Sequence, residues 1–407
     1  MLFCLSPASV IMAEEYSDDW VLPASYLFES DDLVYAVQFS AREAYVVGFA
    51  KDKYRTHLKI KGFTLTGSQV MDQLGTHALH LAIEGEEIIA DENYTFTVKG
   101  ITSWGGSQNY HFNGSNIESI EMENTVEYIS RTAFVNCKSL TRVRLSDNLT
   151  YLSGFSGCTG LTNIYIPNSV TTIGASAFYN CNGLNFVNIP NSVTTIGPSA
   201  FYNCKGLNYA SFGNSLTSIG NGAFMYCTGL TYANIPNSVT NISERAFYGC
   251  SGLTSVTIGN SVMTIGSRAF MSCNNLNTIS LGSSVTTISD RAFYGCSALK
   301  KVWAKMYEPT AFNEEVFQSY NGETRTYDFT TATLYVPYGS KTIYEETEGW
   351  KNFSENIVEF DLLTTDISDA SRLNEINNND VYDLQGHKVQ SPKKGVVIRN
   401  GRKYVDH

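Results

Sequence analysis

The sequence predicts a β-rich repeat solenoid, and three observations carry this prediction. The segment IPNSVTTIGASAFYNC at 166–181 recurs with one substitution as IPNSVTTIGPSAFYNC at 189–204. A phenylalanine recurs with one spacing of 21 residues and six of 23, at Phe134, Phe155, Phe178, Phe201, Phe224, Phe247, Phe270 and Phe293. A cysteine follows each phenylalanine by three residues, and a leucine follows each cysteine by three. Such a fixed period is typical of stacked repeat architectures.

Each repeat contains the elements of one rung. In LTNIYI at 161–166, Ile164 and Ile166 alternate with Tyr165, which is the pattern of a strand with one buried face. The Pro-Asn or Gly-Asn pair that follows is a turn signal. Val170 and Ile173 then return to the core, and the Ala-Phe pair with its cysteine closes the rung in a turn-like or helical segment. One rung cannot bury these groups alone, so the apolar columns must stack on copies of themselves.

One turn position is polar in every repeat. It carries Asn124, Asp147, Asn168, Asn191, Asn214, Asn237, Asn260 and Ser283. Asparagine side chains hydrogen-bond turn backbone, and in a stack they also reach the next rung. These residues are therefore interpreted as structural.

The cysteine column predicts free thiols. It comprises Cys137, Cys158, Cys181, Cys204, Cys227, Cys250, Cys273 and Cys296. Equivalent Cα atoms on stacked rungs lie about 4.8 Å apart, but their Cβ vectors are parallel, whereas a disulfide needs Cβ atoms about 3.8 Å apart. The thiols are expected to be buried as small apolar groups.

These motifs carry a family resemblance. The pattern L-x-x-V/I-x-I-P-N-S-V-T-x-I-G-x-x-A-F-x-x-C resembles the BspA-like leucine-rich repeat of bacterial surface proteins. The resemblance implies a right-handed, curved leucine-rich solenoid of about nine 23-residue rungs. It also implies a secreted or surface protein that binds other proteins, with no catalytic residues. The last segment, at 380–407, resembles short C-terminal secretion-type modules of Bacteroidetes proteins.

The chain divides into six predicted segments. The mostly apolar start indicates a partial signal peptide at 1–13, and the β-rich composition of 14–114 indicates an N-terminal cap, which a solenoid needs. The repeats span 115–300. The remaining segments are a degenerate repeat with a C-terminal cap at 301–360, a polar linker at 361–379, and a short β module at 380–407.

Composition and motifs exclude several function classes. The formal net charge is −11 and no basic cluster precedes the tail, which argues against nucleic-acid binding. No apolar run reaches the ~20 residues of a membrane span. The pair His77 and His80 lies in a predicted strand, where the two side chains point to opposite faces, so no metal site is expected. No catalytic or phosphate-binding motif is present, so we expect neither a cofactor nor an enzyme.

The outward positions of the predicted strands are the candidate binding surface. One column reads Arg142, Asn163, Phe186, Tyr209, Tyr232, Ser255, Thr278, Lys301, and the other reads Arg144, Tyr165, Asn188, Ser211, Asn234, Thr257, Ser280, Trp303. Tyr165, Phe186, Tyr209 and Tyr232 fall on successive rungs and are expected to form an aromatic strip. The strip is flanked by Asn163, Asn188 and Asn234. Aromatic and amide side chains are typical of interfaces, while the alternative is a ladder that only stabilises the sheet.

The sequence therefore predicts a secreted or cell-surface binding protein on the outside of a bacterium. Its partner is expected to be an extracellular or surface protein, including a host matrix protein. The alternative is a glycan-binding capture protein, since a nearly neutral surface rich in hydroxyls and amides also suits sugars. A third hypothesis, an enzyme with its site in 14–114, has no motif in its support.

Overall fold

The computed structural model describes residues 112–361 continuously and several shorter segments outside them. These are 26–30, 33–38, 43–49, 57–61, 63–66, 69, 93–101, 381–382, 395–399 and 402–406. The predicted signal peptide, almost all of the predicted linker, and the pair His77 and His80 lie outside the described residues.

The described residues of the N-terminal region form six strands. They are β1 (Tyr26–Ser30), β2 (Leu33–Gln38), β3 (Glu43–Phe49), β4 (His57–Ile60), β5 (Phe63–Thr66) and β6 (Asn93–Ile101). Strand β2 pairs antiparallel with both β1 and β3, and β3 also pairs parallel with β6. The described residues of this region lie mainly in strands, while its assignment as a cap over 14–114 stays a prediction.

From residue 112 onward the chain is a β-solenoid of about ten turns with 23-residue spacing. Strands are numbered along the chain. Two rows of parallel strands run along the solenoid, of which the first is divided into three hydrogen-bonded sheets and the second is continuous. The first, called the strand face here, follows the Leu-x-x-Ile/Val pattern of each repeat. It contains β7 (Ser119–Met122), β9 (Arg142–Arg144), β12 (Phe186–Asn188), β14 (Tyr209–Ser211), β16 (Tyr232–Ile235), β18 (Ser255–Ile258), β20 (Thr278–Leu281) and β22 (Lys301–Ala304).

The second sheet is made of two-residue strands at the Thr-Ile positions. They are β8 (Tyr128–Ile129), β10 (Tyr151–Leu152), β11 (Thr172–Ile173), β13 (Thr195–Ile196), β15 (Ser218–Ile219), β17 (Asn241–Ile242), β19 (Thr264–Ile265) and β21 (Thr287–Ile288). The N-terminal region joins both sheets, because β4 pairs parallel with β7 and β6 pairs parallel with β8. Rung stacking thus begins before residue 115.

The C-terminal end closes the stack with mixed elements. They are a 3-10 helix (Glu314–Phe317), β23 (Gln318–Asn321), β24 (Thr326–Phe329), β25 (Thr333–Pro337), α1 (Lys341–Glu346), a second 3-10 helix (Trp350–Asn356) and β26 (Ile357–Phe360). The strands β25 and β26 extend the strand face beyond β22. The described residues beyond 361 form three short strands, β27 (Val381–Tyr382), β28 (Gly395–Arg399) and β29 (Arg402–Asp406), in which β28 pairs antiparallel with both others.

The phenylalanine column forms the centre of the core. Every ring from Phe134 to Phe293 is buried, and successive centroids lie between 5.0 and 5.8 Å apart with nearly parallel planes. The column continues beyond the eight predicted members, because Phe112 stacks on Phe134 at 5.2 Å and Phe317 stacks on Phe293 at 5.3 Å. The predicted burial of this column is confirmed.

The cysteine column is buried and unpaired. All eight cysteines from Cys137 to Cys296 are free thiols with at most 4% exposure, as the parallel Cβ geometry predicts. The sequence did not show that each thiol also donates a hydrogen bond. Its acceptor is the phenylalanine carbonyl of the preceding rung, as in Cys204 Sγ to Phe178 O at 3.0 Å. Burial raises the pKa of Cys250 and Cys296 to about 12.

Successive rungs are joined by main-chain hydrogen bonds on more than one side. In the second sheet, Thr194 N donates to Thr171 O on the preceding rung at 2.9 Å. In the segment that carries the phenylalanine, the N–H group donates in the opposite direction along the stack. Phe178 N donates to Ala200 O on the following rung at 2.7 Å. That segment is a series of turns in which residues such as Tyr226 and Arg245 adopt positive φ.

The asparagine column is structural, as predicted. Asn191 Oδ1 accepts from Asn214 N at 2.8 Å, and Asn237 Oδ1 accepts from Asn260 N at 2.7 Å. Asn124 makes the same contact with Asp147 N at 3.0 Å. Each of these side chains therefore ties its own turn to the next rung.

The repeat between Phe134 and Phe155 is two residues shorter than the others, and its structure differs from theirs at the turn after β10. Gly154 has φ +91°, and a Cβ at this position would lie 2.4 Å from Ser130 O. Only glycine therefore fits where the shortened turn passes the rung below. On the next rung, residues 161–167 form no strand, which interrupts the strand face between β9 and β12.

We expect Phe201→Ala to lower the free energy of unfolding by about 3–5 kcal/mol, because it leaves a cavity between two stacked rings. Met263→Thr is the control: Met263 is 51% exposed, and exposed substitutions change stability by about 0.5 kcal/mol or less. Urea unfolding of both variants measures the difference. A cost for Phe201→Ala no larger than that of the control would contradict the stacked core.

We expect the eight buried thiols to be inert in the native protein and reactive after denaturation without reductant. Burial excludes the reagent from all eight thiols. For every thiol of the column except Cys137 a raised pKa also removes the thiolate that reacts, whereas a hydrogen bond with Cys158 lowers the pKa of Cys137. Counting thiols with a chromogenic reagent, in native buffer and in denaturant, measures this. The chain has a ninth cysteine, Cys4, which is replaced by serine for this count. Fewer than about seven reactive thiols among the remaining eight in denaturant would show that disulfides form.

Alkaline pH should destabilise the fold through the cysteine column. The pKa of Cys250 and Cys296 rises from an ordinary value of 9.0 to about 12 on folding. The folded chain therefore holds these protons more tightly, so the associated stability is complete below pH 9 and is lost as pH rises towards 12. Denaturant unfolding from pH 7 to 11 should show this loss, and Cys250→Ala/Cys296→Ala should reduce the slope. An unchanged slope in the double variant would contradict this explanation.

Candidate functional site

The candidate site is the middle of the strand face, where three aromatic side chains stand in one column. Phe186 on β12 pairs in register with Tyr209 on β14, and the ring of Tyr209 lies 5.4 Å from that of Tyr232 on β16. Phe186, Tyr209 and Tyr232 are 49%, 39% and 40% exposed. They alternate with buried Val187, Ala210 and Ala233, as strand geometry requires.

Tyr165 belongs to the same surface but lies in the adjacent column. It is 70% exposed, the most exposed of the large apolar side chains in the described part of the chain. Because Tyr165 follows Asn163 by two residues, it occupies the position held by Asn188 on the next rung. The predicted strip is thus three rings in register, with a fourth offset beside them.

The predicted asparagines are also exposed on this face, and their surroundings differ. Asn163 donates through Nδ2 to Thr162 Oγ1 at 3.2 Å, and Asn188 Oδ1 accepts from Ser211 Oγ on the next rung. Asn234 is exposed on β16 between two buried residues. Asn188 therefore stabilises its neighbours, while Asn234 presents its amide to solvent.

The hydroxyl of Tyr232 is held in its neutral form. A hydrogen bond with Tyr209, together with partial burial, raises the pKa of Tyr232. This hydroxyl therefore remains able to donate and accept hydrogen bonds. The ring planes of Tyr209 and Tyr232 are tilted by 55°, so the two rings do not form one flat platform.

The strand face changes character at its two ends. At the C-terminal end, Ser280 and Trp303 occupy outward positions but are only 1% and 2% exposed. The sequence interpretation of these two as exposed is wrong, because Trp303 stacks on Tyr335 at 4.0 Å and contacts the edge of Phe360 at 5.1 Å. These partners come from β25 and β26, which the repeat pattern does not include.

At the N-terminal end the outward side chains are charged. Arg144 Nη1 lies 3.1 Å from Glu121 Oε1, and Lys59 Nζ lies 3.8 Å from the same oxygen. Arg142 is exposed in the other column, next to Ser119. A shallow cavity of about 220 Å³ opens here, lined by Lys59, Glu121, Met122, Glu123, Asn124 and Arg144.

A second aromatic row, which sequence reasoning missed, runs along the turn segments. Tyr179 and Tyr202 stack at 4.6 Å, and edge contacts continue through Tyr226 to Tyr248. The signal was present in the sequence, since a tyrosine follows the phenylalanine in several repeats. These side chains are half-buried and cover one another, which is the arrangement of a stabilising ladder.

The described residues contain neither a metal-binding cluster nor a membrane-spanning helix. Within them, no group of three or more His, Cys, Asp or Glu side chains is placed to hold a metal ion. Among the same residues, no helix has the length and apolarity to cross a bilayer.

The comparisons with known proteins agree with this fold. The family model described as BspA type leucine-rich repeat region matches residues 107–231 and 217–335 in six copies. A leucine-rich repeat protein from Bacteroides ovatus is 23% identical with a TM-score of 0.50, and the match covers 76% of each chain. A leucine-rich cell surface protein from Faecalibacterium prausnitzii is 21% identical with a TM-score of 0.40, covering 82% of this chain and 99% of that one.

A leucine-rich repeat protein from T. pallidum is 19% identical with a TM-score of 0.37, covering 67% of this chain and 90% of that one. No curated protein matches the chain. The family model covers more than half of the sequence, over the same rungs that the structure stacks. The chain therefore belongs to the BspA type leucine-rich repeat family.

Proposed function

We propose that the protein is a secreted or surface-attached binding protein that recognises an extracellular or surface protein through its strand face. The observation that carries the proposal is the exposed column of Phe186, Tyr209 and Tyr232 on three successive rungs. An apolar strip on a protein surface often marks an interaction site, and aromatic side chains dominate binding energy at interfaces.

The other positions of the same columns support this proposal. Ser211, Ser255 and Thr257 occupy outward positions of equivalent strands and are half-buried. The sheet therefore forms without aromatic groups at these positions, which supports a binding role for the rings on three adjacent rungs. The proposed role needs no cofactor and no catalytic residues, since binding alone is assigned to this face.

Location outside the cell is part of the proposal. The apolar stretch at 1–13 has the composition of a secretion signal, and the repeat family resembles bacterial surface proteins. The predicted module at 380–407 is proposed as the segment that takes part in secretion or attachment.

Replacing Phe186, Tyr209 and Tyr232 together with serine should weaken binding while leaving the fold largely intact. A screen of the full chain against matrix proteins and glycans provides the partner, and titration of each variant provides the affinity. We expect a loss of about 2 kcal/mol or more, or about thirtyfold. The control is Tyr307→Ser/Tyr320→Ser/Tyr338→Ser, which removes three exposed tyrosines from other surfaces.

If the strand-face variant has the parent's melting temperature and binds the partner undiminished, the strip is only a stabilising ladder. If simple sugars compete for binding and matrix proteins do not, the ligand is a glycan and the protein partner is wrong.

A further inference from the structure

We propose that the strand face binds an extended acidic peptide segment of its partner. The carboxylates of the peptide would bind Arg142 and Arg144, and its apolar side chains would pack on Phe186, Tyr209 and Tyr232. This inference rests on the proposed function and names the chemistry of the partner. It follows from the way the outward columns change along the solenoid.

The outward positions at the N-terminal end of the strand face carry an excess of positive charge. On β4, β7 and β9 they hold Lys59, Arg142 and Arg144 against a single carboxylate, Glu121. The flanking positions hold Lys61 and three carboxylates, Glu118, Glu123 and Asp147, so the positive excess is confined to the outward positions themselves. The whole chain has a formal net charge of −11, and these outward positions have the opposite sign.

Arg142 differs from Lys59 and Arg144, the other outward basic residues of the described strands β4 and β9, in its lack of an ion pair. Lys59 and Arg144 share Glu121 as a partner, whereas Arg142 makes no ion pair within the described part of the chain. Its side chain is exposed, and Ser119 on the neighbouring strand carries no charge. A guanidinium in this setting binds a carboxylate without first losing a partner.

The basic and aromatic parts are close enough for one ligand. Arg142 lies two rungs before Phe186 in the same column and four rungs before Tyr232, which corresponds to about 10 Å and about 19 Å at the rung spacing. A fully extended peptide advances about 3.3 Å per residue. Six or seven residues of peptide therefore reach from Arg142 to Tyr232, at about this rise.

The ring geometry favours a peptide over a sugar chain. Tyr209 and Tyr232 are tilted by 55° and cover part of each other, whereas a sugar ring packs flat on an open ring face. The flexible side chains of a peptide fit against tilted rings one at a time.

The test compares two fluorescein-labelled nonapeptides on the full chain. One is Glu-Glu-Glu-Gly-Phe-Gly-Phe-Gly-Phe, and the other has glutamine in place of each glutamate. Fluorescence anisotropy is measured at about 0.02 M and about 0.3 M salt, where screening differs strongly. An oligogalacturonate, which carries carboxylates on sugar rings, is the third probe.

We expect the glutamate peptide to bind about tenfold more tightly than the glutamine peptide at low salt, since exposed charge pairs are individually weak. Arg142→Ser/Arg144→Ser and high salt should each remove this preference. Lys205→Ser/Lys300→Ser removes two positive charges outside the outward columns and should keep it. Phe186→Ser/Tyr209→Ser should weaken both peptides alike.

Equal affinities of the two peptides, or an unchanged preference in the arginine variant, would contradict the proposal that the arginines recognise an acidic segment. If the oligogalacturonate binds with the same arginine dependence and neither peptide binds, the ligand is an acidic glycan and the peptide proposal is wrong. Absence of binding by all three probes would also reject the proposal. In each case the serine replacement of the aromatic strip still decides the proposed function separately, through binding of the captured partner.

Discussion

The main-chain hydrogen bonds between successive rungs are the constraint on which the rest of the structure depends. They hold one turn of the chain against the next at a fixed rise, both along the sheets and in the phenylalanine-bearing turns. Side chains at the same repeat position must therefore stack. A ring suits the interior because it covers the ring below it, and a thiol suits the next column because it is small and reaches the carbonyl of the preceding rung.

The same constraint explains why function lies on the outward columns. Inward positions accept little variation, because each must pack on two copies of itself. Outward positions have the same spacing without that demand, so Phe186, Ser255 and Arg142 occupy equivalent places on different strands. The solenoid thus presents a regular frame whose surface chemistry changes from charged to aromatic to hydroxyl along one direction.

Irregular rungs divide this surface. The shortened turn at Gly154 requires a residue without a Cβ, and the next rung has no strand at Asn163 and Tyr165. At the far end, β25 and β26 bring Tyr335 and Phe360 against Trp303. The accessible part of the strand face is therefore bounded by a charged area on one side and by a covered aromatic cluster on the other.

The sequence by itself determined the solenoid, the buried phenylalanine and cysteine columns, the asparagine ladder and the outward direction of Phe186, Tyr209 and Tyr232. All of these follow from a period of 23 residues combined with strand alternation, which are local properties. Only the tertiary structure decided where the stack begins and ends, that Phe112 and Phe317 extend the core, and that Ser280 and Trp303 are covered. These features depend on contacts with segments outside the repeat pattern, and no periodicity within the repeats encodes them.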